Sequence, residues 1–281
     1  MSDSWAQFIG YFSEVEELRG AEMIRELPGG PASSSFLLAV DGQRLVARVD
    51  RPAAQVLKLD RQSEIKVLQT VSTAGIGPKP VWADPQQGLL VCTYIEGSAC
   101  SHEQLTDPEL LQELASTIRR LHSLPTAGPE FKPKSAVRNY AEKLATPTAQ
   151  RLADRAGTLL TQLRQESGPR VLCHNDLVHS NIINNQPMRL IDWEYAAVGN
   201  PFFDLAVVVR HHELSASLTK GFLQAYFGGL LPEQLEKLEL YGMLYDHLAG
   251  LWYLSMEDSF GLTPRFDQEL QRVLTRLSQY D

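Results

Sequence analysis

The fold is decided by a polar segment that reads Cys173-His174-Asn175-Asp176-Leu177-Val178-His179-Ser180-Asn181-Ile182-Ile183. The apolar run Val171–Cys173 leads into it, and a second run, Met188–Ile191, ends at Asp192. An Asn-Asn-Gln-Pro turn before the second run predicts a hairpin. Because Asp176 and Asn181 share one loop, the hairpin should bring Asp192 beside them. The sequence therefore predicts two carboxylates and one amide converging on a single cavity.

These three side chains suit phosphoryl transfer. One carboxylate can take the proton of an acceptor hydroxyl, and oxygen ligands can hold Mg²⁺ against a triphosphate. Asp176, Asn181 and Asp192 supply both kinds of group. A solvated turn would explain any one of them alone, but their joint spacing favours a magnesium site.

Two motifs in this region resemble those of the choline/ethanolamine kinase and aminoglycoside phosphotransferase superfamily. His174, Asp176 and Asn181 match H-x-D-x-x-x-x-N, and Ile191–Tyr195 matches I-D-[FW]-E-Y. The resemblance implies an α+β, protein-kinase-like two-lobed fold that uses ATP and Mg²⁺. It implies that Asp176 is the catalytic base, that His174 supports its loop, and that Asn181 and Asp192 bind the metal. Asn200–Ala206 resembles the family's N-P-x-x-D-L-A segment, which implies that Asp204 braces the catalytic loop.

The pattern of elements predicts a small antiparallel β-sheet lobe with one helix, residues 1–96, and a larger, mainly α-helical lobe, residues 97–281. After an opening helix through Arg19, the predicted strands are Met23–Glu26, Ser35–Val40, Arg44–Val49, Lys79–Trp82 and Leu89–Ile95. One exposed helix, Asp60–Thr73, interrupts them. The predicted helices of the second lobe are Glu109–Ser123, Val137–Gln165 with a break at Pro147, Pro232–Met256 and Phe266–Gln279. Val171–Cys173 and Met188–Ile191 form a small β insert among them.

The first lobe carries a candidate nucleotide site. Gly29 and Gly30, with Ser34 close by, lie between two predicted strands, where backbone N–H groups can cover phosphates. The sequence has no Walker motif. By resemblance, Arg48 should contact the α- and β-phosphates and Glu64 should be its ion-pair partner, although an exposed helical glutamate is the alternative. Tyr94 and Glu96 lie in a segment that resembles the adenine-binding hinge.

The sequence indicates the acceptor molecule less specifically than it indicates the nucleotide site. A choline-like or ethanolamine-like cation needs aromatic faces and a carboxylate. Glu194, Tyr195, Trp252 and Asp246, with Trp193 and Tyr245, are the candidates. Choline kinases carry two tryptophans three residues apart in the helix that Tyr241–Met256 resembles, but the first position here is Ala249, and Arg210-His211-His212 stands where they carry a glutamate. The form of the second motif also resembles bacterial thiamine kinases, and a sugar or aminoglycoside acceptor remains an alternative.

Composition and net charge argue against several other functional classes and partners. A net charge of −8 without a basic block argues against nucleic acid and membrane partners. Three scattered cysteines and the lack of a signal-like segment indicate a reducing, cytoplasmic setting, while the oligomeric state stays open. Two rival classes are a catalytically inactive nucleotide-binding regulator and a metal hydrolase built on His174, His179 and Asp176. His211 and His212 do not readily complete such a hydrolase site, because adjacent helical residues point about 100° apart.

Overall fold

The computed structural model describes residues 8–12, 14–163, 168–261 and 263–280. Its first part is a five-stranded antiparallel sheet in the order β1-β2-β3-β5-β4. The elements of this part are β1 (Glu22–Leu27), β2 (Ser33–Val40), β3 (Gln43–Asp50), helix α1 (Pro52–Val56), helix α2 (Arg61–Thr73), β4 (Pro80–Asp84) and β5 (Leu89–Thr93). The sequence-based strands match these within a few residues, and α1 was not predicted.

The hairpin between β2 and β3 turns at Asp41-Gly42, as predicted. Both residues have positive φ angles, 48° and 76°, and Val40 pairs with Gln43 across the turn. This is the left-handed backbone that a two-residue hairpin loop requires. The register places Arg48 in mid-strand, opposite Ser35 on one side and Leu90 on the other.

Helix α2 is half-buried, so the prediction of an exposed helix is wrong. Asp60 caps its first turn by accepting a hydrogen bond from the Ser63 amide. Val67, Leu68 and Val71 are at most 2% exposed and join an apolar core that also contains Leu90 of β5. The helix is therefore clamped between the sheet and the second part of the chain.

The second part is mainly helical. Its helices are α3 (Pro108–His122), α4 (Pro133–Leu144), α5 (Pro147–Leu163), α6 (Phe202–His211), α7 (Ala216–Phe227), α8 (Pro232–Phe260) and α9 (Pro264–Leu277). The predicted break at Pro147 is confirmed, since this proline begins α5 and Ala145 leaves α4 with a φ of 49°. The predicted opening helix is shorter than expected within the described residues, because Phe8 and Ile9 are helical but Gly10–Phe12 and Glu16–Leu18 are short 3₁₀ turns. Residues 1–7 and 13, on which the rest of this prediction falls, lie outside the described residues.

Two small sheets carry the polar segment. The first pairs β7 (Val171–Cys173) with β10 (Ala197–Gly199), and the second has the order β6-β8-β9. Its strands are β6 (Ser98–Ala99), β8 (Ile182–Asn184) and β9 (Arg189–Leu190). The two predicted runs thus belong to different sheets, because β8, formed by the end of the polar segment, is the hairpin partner of β9.

The largest apolar core runs from α2 and β5 into the helices of the second part, which joins the two parts through shared packing. A second core, built around Phe36 and Leu38, lies on the sheet, and a third joins α5, α8 and α9. Among the described residues, no helix has the length and apolar character needed to cross a bilayer.

Candidate active site

The loop after β7 positions Asp176 beside Asn181. The Asn181 side chain lies in the 3₁₀ turn His179–Asn181, and its Nδ2 donates to Asp176 Oδ2 at 2.8 Å and to the Asp176 carbonyl at 2.9 Å. These bonds fix the aspartate and leave Asn181 Oδ1 as an oxygen donor for a cation. Burial, then the nearby Asp192 carboxylate, raises the pKa of Asp176 to about 7.

Asp204 binds the backbone of the same loop, as the family resemblance implied. It is fully buried, and its two carboxylate oxygens accept the backbone N–H groups of His174 (2.9 Å) and Asn175 (2.6 Å). One of them also contacts His122 Nε2 at 2.9 Å. A carboxylate that collects several donors is a rigid anchor, so the start of the catalytic loop is held to α6.

His174 links the catalytic loop to the strand that carries Asp192. It is fully buried, its Nε2 contacts the Ile191 carbonyl at 2.9 Å, and its Nδ1 accepts the Asp176 amide at 3.3 Å. The ring packs against Trp193 with centroids 4.5 Å apart. His174 is therefore a positioning residue, and Trp193, 1% exposed, belongs to the core and does not wall a pocket.

Asp192 follows β9 with a left-handed backbone, φ 65°, and Asn175 has a φ of 66°. Positive φ outside glycine is uncommon and concentrates at functional sites. The Asp192 carboxylate is 39% exposed and lies 3.4 Å from Arg48 Nη1. The strand and the two loops thus bring together all three side chains on which the predicted metal site depends.

Arg48 and Glu64 form a direct ion pair within a buried network. Glu64 is 3% exposed, so it is not the exposed glutamate of the alternative interpretation. Although burial alone would raise it, Arg48 and Arg61 hold the pKa of Glu64 below its ordinary value. Arg61 Nη1 lies 2.9 Å from Glu64 and also 2.9 Å from Glu194, and its Nη2 lies 2.6 Å from Asp50.

Arg61 was missed by sequence reasoning. The available signal was its place three residues before Glu64 on α2, which puts both side chains on one helix face. Its buried position connects β3, α2 and the I-D-W-E-Y motif. His122 was also missed, because nothing in the sequence links α3 to Asp204.

The other predicted nucleotide residues lie in the strands of the sheet or in the segments next to them. Gly29 and Gly30 lie in the connection between β1 and β2, while Ser34 lies within β2 with its hydroxyl accepting from Arg51 Nε at 2.9 Å. Glu96 forms an ion pair with Arg44, whose guanidinium stands 5.2 Å from the Tyr94 ring centroid. The roles of these residues toward a nucleotide stay predictions.

Aromatic side chains gather on another side of Asp176. Tyr195 OH accepts a hydrogen bond from Trp252 Nε1 at 3.0 Å, so the second motif meets α8. Burial, and then nearby charges that include Asp176, hold the pKa values of Tyr195 and Tyr245 well above the ordinary range. Predicted acceptor residues from distant parts of the chain are thereby brought together.

Two predicted acceptor carboxylates are not part of this aromatic group. Asp246 is fully buried in an ion pair with Arg276, 2.8 Å away, and accepts from Tyr280 OH at 3.1 Å. Glu194, 8% exposed, is bound by Arg61. Both carboxylates are neutralised by arginines within the protein, because a buried carboxylate without a partner would be costly.

The residues around Asp176 fit a hard divalent cation. Asn181 Oδ1 and the Asp192 and Asp176 carboxylates are oxygen donors, the type that Mg²⁺ prefers. Burial and, after it, the Asp192 carboxylate raise the pKa of Asp176, and a bound cation would offset the repulsion between these two carboxylates. The donor chemistry therefore agrees with the predicted magnesium site.

The fold is of the two-lobed, protein-kinase-like class, and the groups at the site suit phosphoryl transfer. The chain belongs to the phosphotransferase enzyme family APH, whose model matches residues 24–241. Among curated relatives, Protein LicA of Haemophilus influenzae is 26% identical over 207 residues, covering 70% of this chain and 61% of LicA. Ethanolamine kinase 2 of Rattus norvegicus is 29% identical over 258 residues, covering 80% of this chain and 66% of the kinase. The chain thus spans a little under two thirds of the length of these relatives.

Solved structures agree on the fold. The choline kinase LicA from Streptococcus pneumoniae superposes with a TM-score of 0.82 at 22% identity, covering 99% of this chain and all of that one. An aminoglycoside 2'-phosphotransferase-IIIa mutant superposes with a TM-score of 0.69 at 13% identity, covering 99% and 97%. The predicted fold class and family are confirmed.

Proposed function

We propose that the protein transfers the γ-phosphoryl group of ATP, with Mg²⁺, to the hydroxyl of a small cationic alcohol. The observation that carries the proposal is the convergence of Asp176, Asn181 and Asp192, with Arg48 reaching Asp192 from the sheet. Phosphoryl transfer depends mainly on positioning and charge stabilisation, and this group supplies both.

Each residue has a defined task in that reaction. Asp176 accepts the proton of the acceptor hydroxyl, and its pKa near neutrality suits a base at physiological pH. Arg48, held by Glu64, stabilises the phosphates by charge. Asn181 and Asp192 hold Mg²⁺, which neutralises charge on the transferred group when it is bound.

The surroundings of Asp176 favour a quaternary or aromatic cation over a primary amine. Rings attract cations through their faces, and Tyr195, Tyr245 and Trp252 supply such faces. A primary ammonium has three N–H donors to satisfy, yet Glu194 and Asp246 are already paired with arginines. Choline-like or thiamine-like acceptors are therefore preferred within the proposal over ethanolamine.

The test is a screen of ATP consumption with choline, ethanolamine, thiamine, an aminosugar and an aminoglycoside, with mass spectrometry of the phosphorylated product. We expect the highest kcat/KM with choline or thiamine, and loss of turnover when Mg²⁺ is chelated, restored by Mg²⁺ or Mn²⁺. Turnover with the aminoglycoside alone would show that the acceptor is an aminoglycoside and not a choline-like or thiamine-like cation. Nucleotide binding without turnover on any acceptor would support the regulatory alternative.

A further inference from the structure

A second cluster of polar side chains lies next to the catalytic loop and has no part in the proposed reaction. Four of the chain's seven histidines meet there. His102 lies in the turn after β6, His179 begins the 3₁₀ turn of the catalytic loop, and His211 and His212 end α6. Three separate segments therefore contribute imidazoles to one place.

We propose that His102, His179 and His212 form a three-histidine site for a divalent transition metal ion, with Zn²⁺ as the expected occupant. One ring nitrogen from each lies within 4.8 Å of the other two. Three imidazoles with an open fourth position are a known arrangement for zinc in proteins, and imidazole suits zinc better than it suits Mg²⁺.

The burial and hydrogen bonding of His212 are the most direct indication that this residue is a metal ligand. The residue is 1% exposed, and its Nε2 contacts the Leu177 carbonyl at 3.1 Å, so that nitrogen carries the proton. Its Nδ1 then holds a lone pair, yet this buried atom has no hydrogen-bond partner. Buried polar atoms are seldom left without one. A histidine whose one nitrogen donates to a backbone carbonyl while the other is unpaired is arranged as metal ligands usually are.

His211 orients His179 without joining the ligand set. Its Nε2 lies 3.2 Å from His179 Nδ1, the two rings stack with an interplanar angle of 21°, and its Nδ1 lies 3.4 Å from Tyr245 OH. One ring nitrogen of His179 still lies within ligand spacing of His102 and His212. The His211 and His212 rings are perpendicular with centroids 5.0 Å apart, and the group with ligand spacing among the described residues contains His212 and not His211.

The ring charges agree with a ligand role. Burial lowers the pKa of His212 to about 3, and repulsion from His102 and His179 acts in the same direction. Burial also lowers the pKa of His211 well below its ordinary value. Metal ligands must be deprotonated, and the lowered pKa leaves the His212 ring neutral at pH 7.

The site can close with a small movement. At Zn–N distances of about 2.1 Å, tetrahedral ligand atoms lie about 3.4 Å apart, so ring nitrogens that lie within 4.8 Å of one another must approach by at most about 1.4 Å. His102 is only partly buried and sits in a turn, which can supply that movement. A second described group also has the spacing of metal ligands, and it consists of His122, Cys173 and Asp204. We do not propose a metal site there, because both Asp204 oxygens already accept backbone N–H groups.

The test is a Co²⁺ titration of the full chain without nucleotide, followed by visible absorption, since four-coordinate Co²⁺ absorbs far more strongly than six-coordinate Co²⁺. We expect one four-coordinate Co²⁺ per chain, displaced by Zn²⁺. His102→Ala should weaken binding at least about tenfold, while His247→Gln, a buried histidine outside the cluster, should leave it unchanged. Circular dichroism verifies that both variants fold.

Asp192→Asn separates this site from the magnesium site, and its Co²⁺ spectrum should match that of the unsubstituted chain. The proposal is overturned if only a weak six-coordinate spectrum forms, if His102→Ala binds Co²⁺ as tightly as the parent, or if Asp192→Asn abolishes the signal. None of these readouts depends on kinase turnover.

Discussion

Arg48 and Asp192, 144 positions apart in the chain, meet at 3.4 Å between the β-sheet part and the helical part. Arg48 comes from the middle of β3, where Glu64 fixes it from α2. Asp192 comes from the end of β9. The contact joins the predicted phosphate-binding cation to the predicted metal ligand, so nucleotide and metal binding should depend on each other.

Asp192→Asn should remove the Mg²⁺ dependence of ATP binding. Asparagine suits this position better than alanine, because Asp192 has a φ of 65° that asparagine tolerates. Since changes around a metal site typically cost about 10–100-fold in affinity, the loss of a ligand should cost at least as much. Nucleotide titrations with and without Mg²⁺ measure it.

Asp41→Asn is the matched control, since Asp41 also has a positive φ, 48°, but lies exposed in the β2–β3 turn. It should bind ATP as the parent does. An Asp192→Asn chain that still binds ATP more tightly with Mg²⁺ would contradict the metal-ligand role.

Asp176→Asn should abolish transfer while ATP binding is largely kept. An amide cannot accept the hydroxyl proton, and a positioned base contributes about 10²–10⁴-fold to rate. The new amide keeps an oxygen that can accept the Asn181 Nδ2 hydrogen bond, so the loop should keep its shape. Turnover and ATP affinity are measured side by side, with the exposed Asp154→Asn as control. Retained turnover would refute the role of Asp176 as base.

Glu64→Gln should destabilise the fold and weaken ATP binding. Arg48 and Arg61, with side chains 12% and 8% exposed, would lose their shared buried partner. Breaking such a pair costs about 3 kcal/mol or more. Urea unfolding measures the change.

The control for this prediction is Glu142→Gln. Glu142 pairs with Arg138 on α4, but both side chains are about 70% exposed, so the unfolding free energy should fall by less than about 1 kcal/mol. Equal effects of the two substitutions would show that burial of the Arg48 network adds nothing to the free energy of unfolding.

The sequence predicted well what local rules determine. The Asp41-Gly42 hairpin and the break at Pro147 each depend on neighbouring residues, and both were predicted. The motif spacing likewise indicated that Asp176, Asn181 and Asp192 meet. Contacts that depend on the packing of distant elements were not predictable, and the pairing of Arg61 with Glu194 is an example. Asp246 was predicted to bind the acceptor because its ion-pair partner, Arg276, lies on another helix and could not be identified from the sequence.

Trp252→Phe should raise the acceptor KM with little effect on the ATP KM. The substitution keeps an aromatic face but removes the Nε1–H bond to Tyr195 OH. A lost hydrogen bond of about 1 kcal/mol corresponds to roughly fivefold in KM. Steady-state kinetics with each substrate varied in turn measure it, and Trp82→Phe in β4 is the control. A raised ATP KM with an unchanged acceptor KM would place Trp252 outside the acceptor pocket.

The three cysteines should resist alkylation in the folded protein. Cys92, Cys100 and Cys173 are free thiols, at most 7% exposed. Burial raises the pKa of Cys92 to about 12 and that of Cys100 to about 11, and it also raises that of Cys173. Since the thiolate is the reactive form, a pKa of 12 leaves about one thiol in 10⁴ ionised at pH 8. Iodoacetamide labelling followed by mass spectrometry should give no adduct on the native chain and three in denaturant. Rapid native labelling at Cys92 would show that β5 opens locally, and the apolar core that joins the sheet to the helices would then be less continuous than the packing indicates.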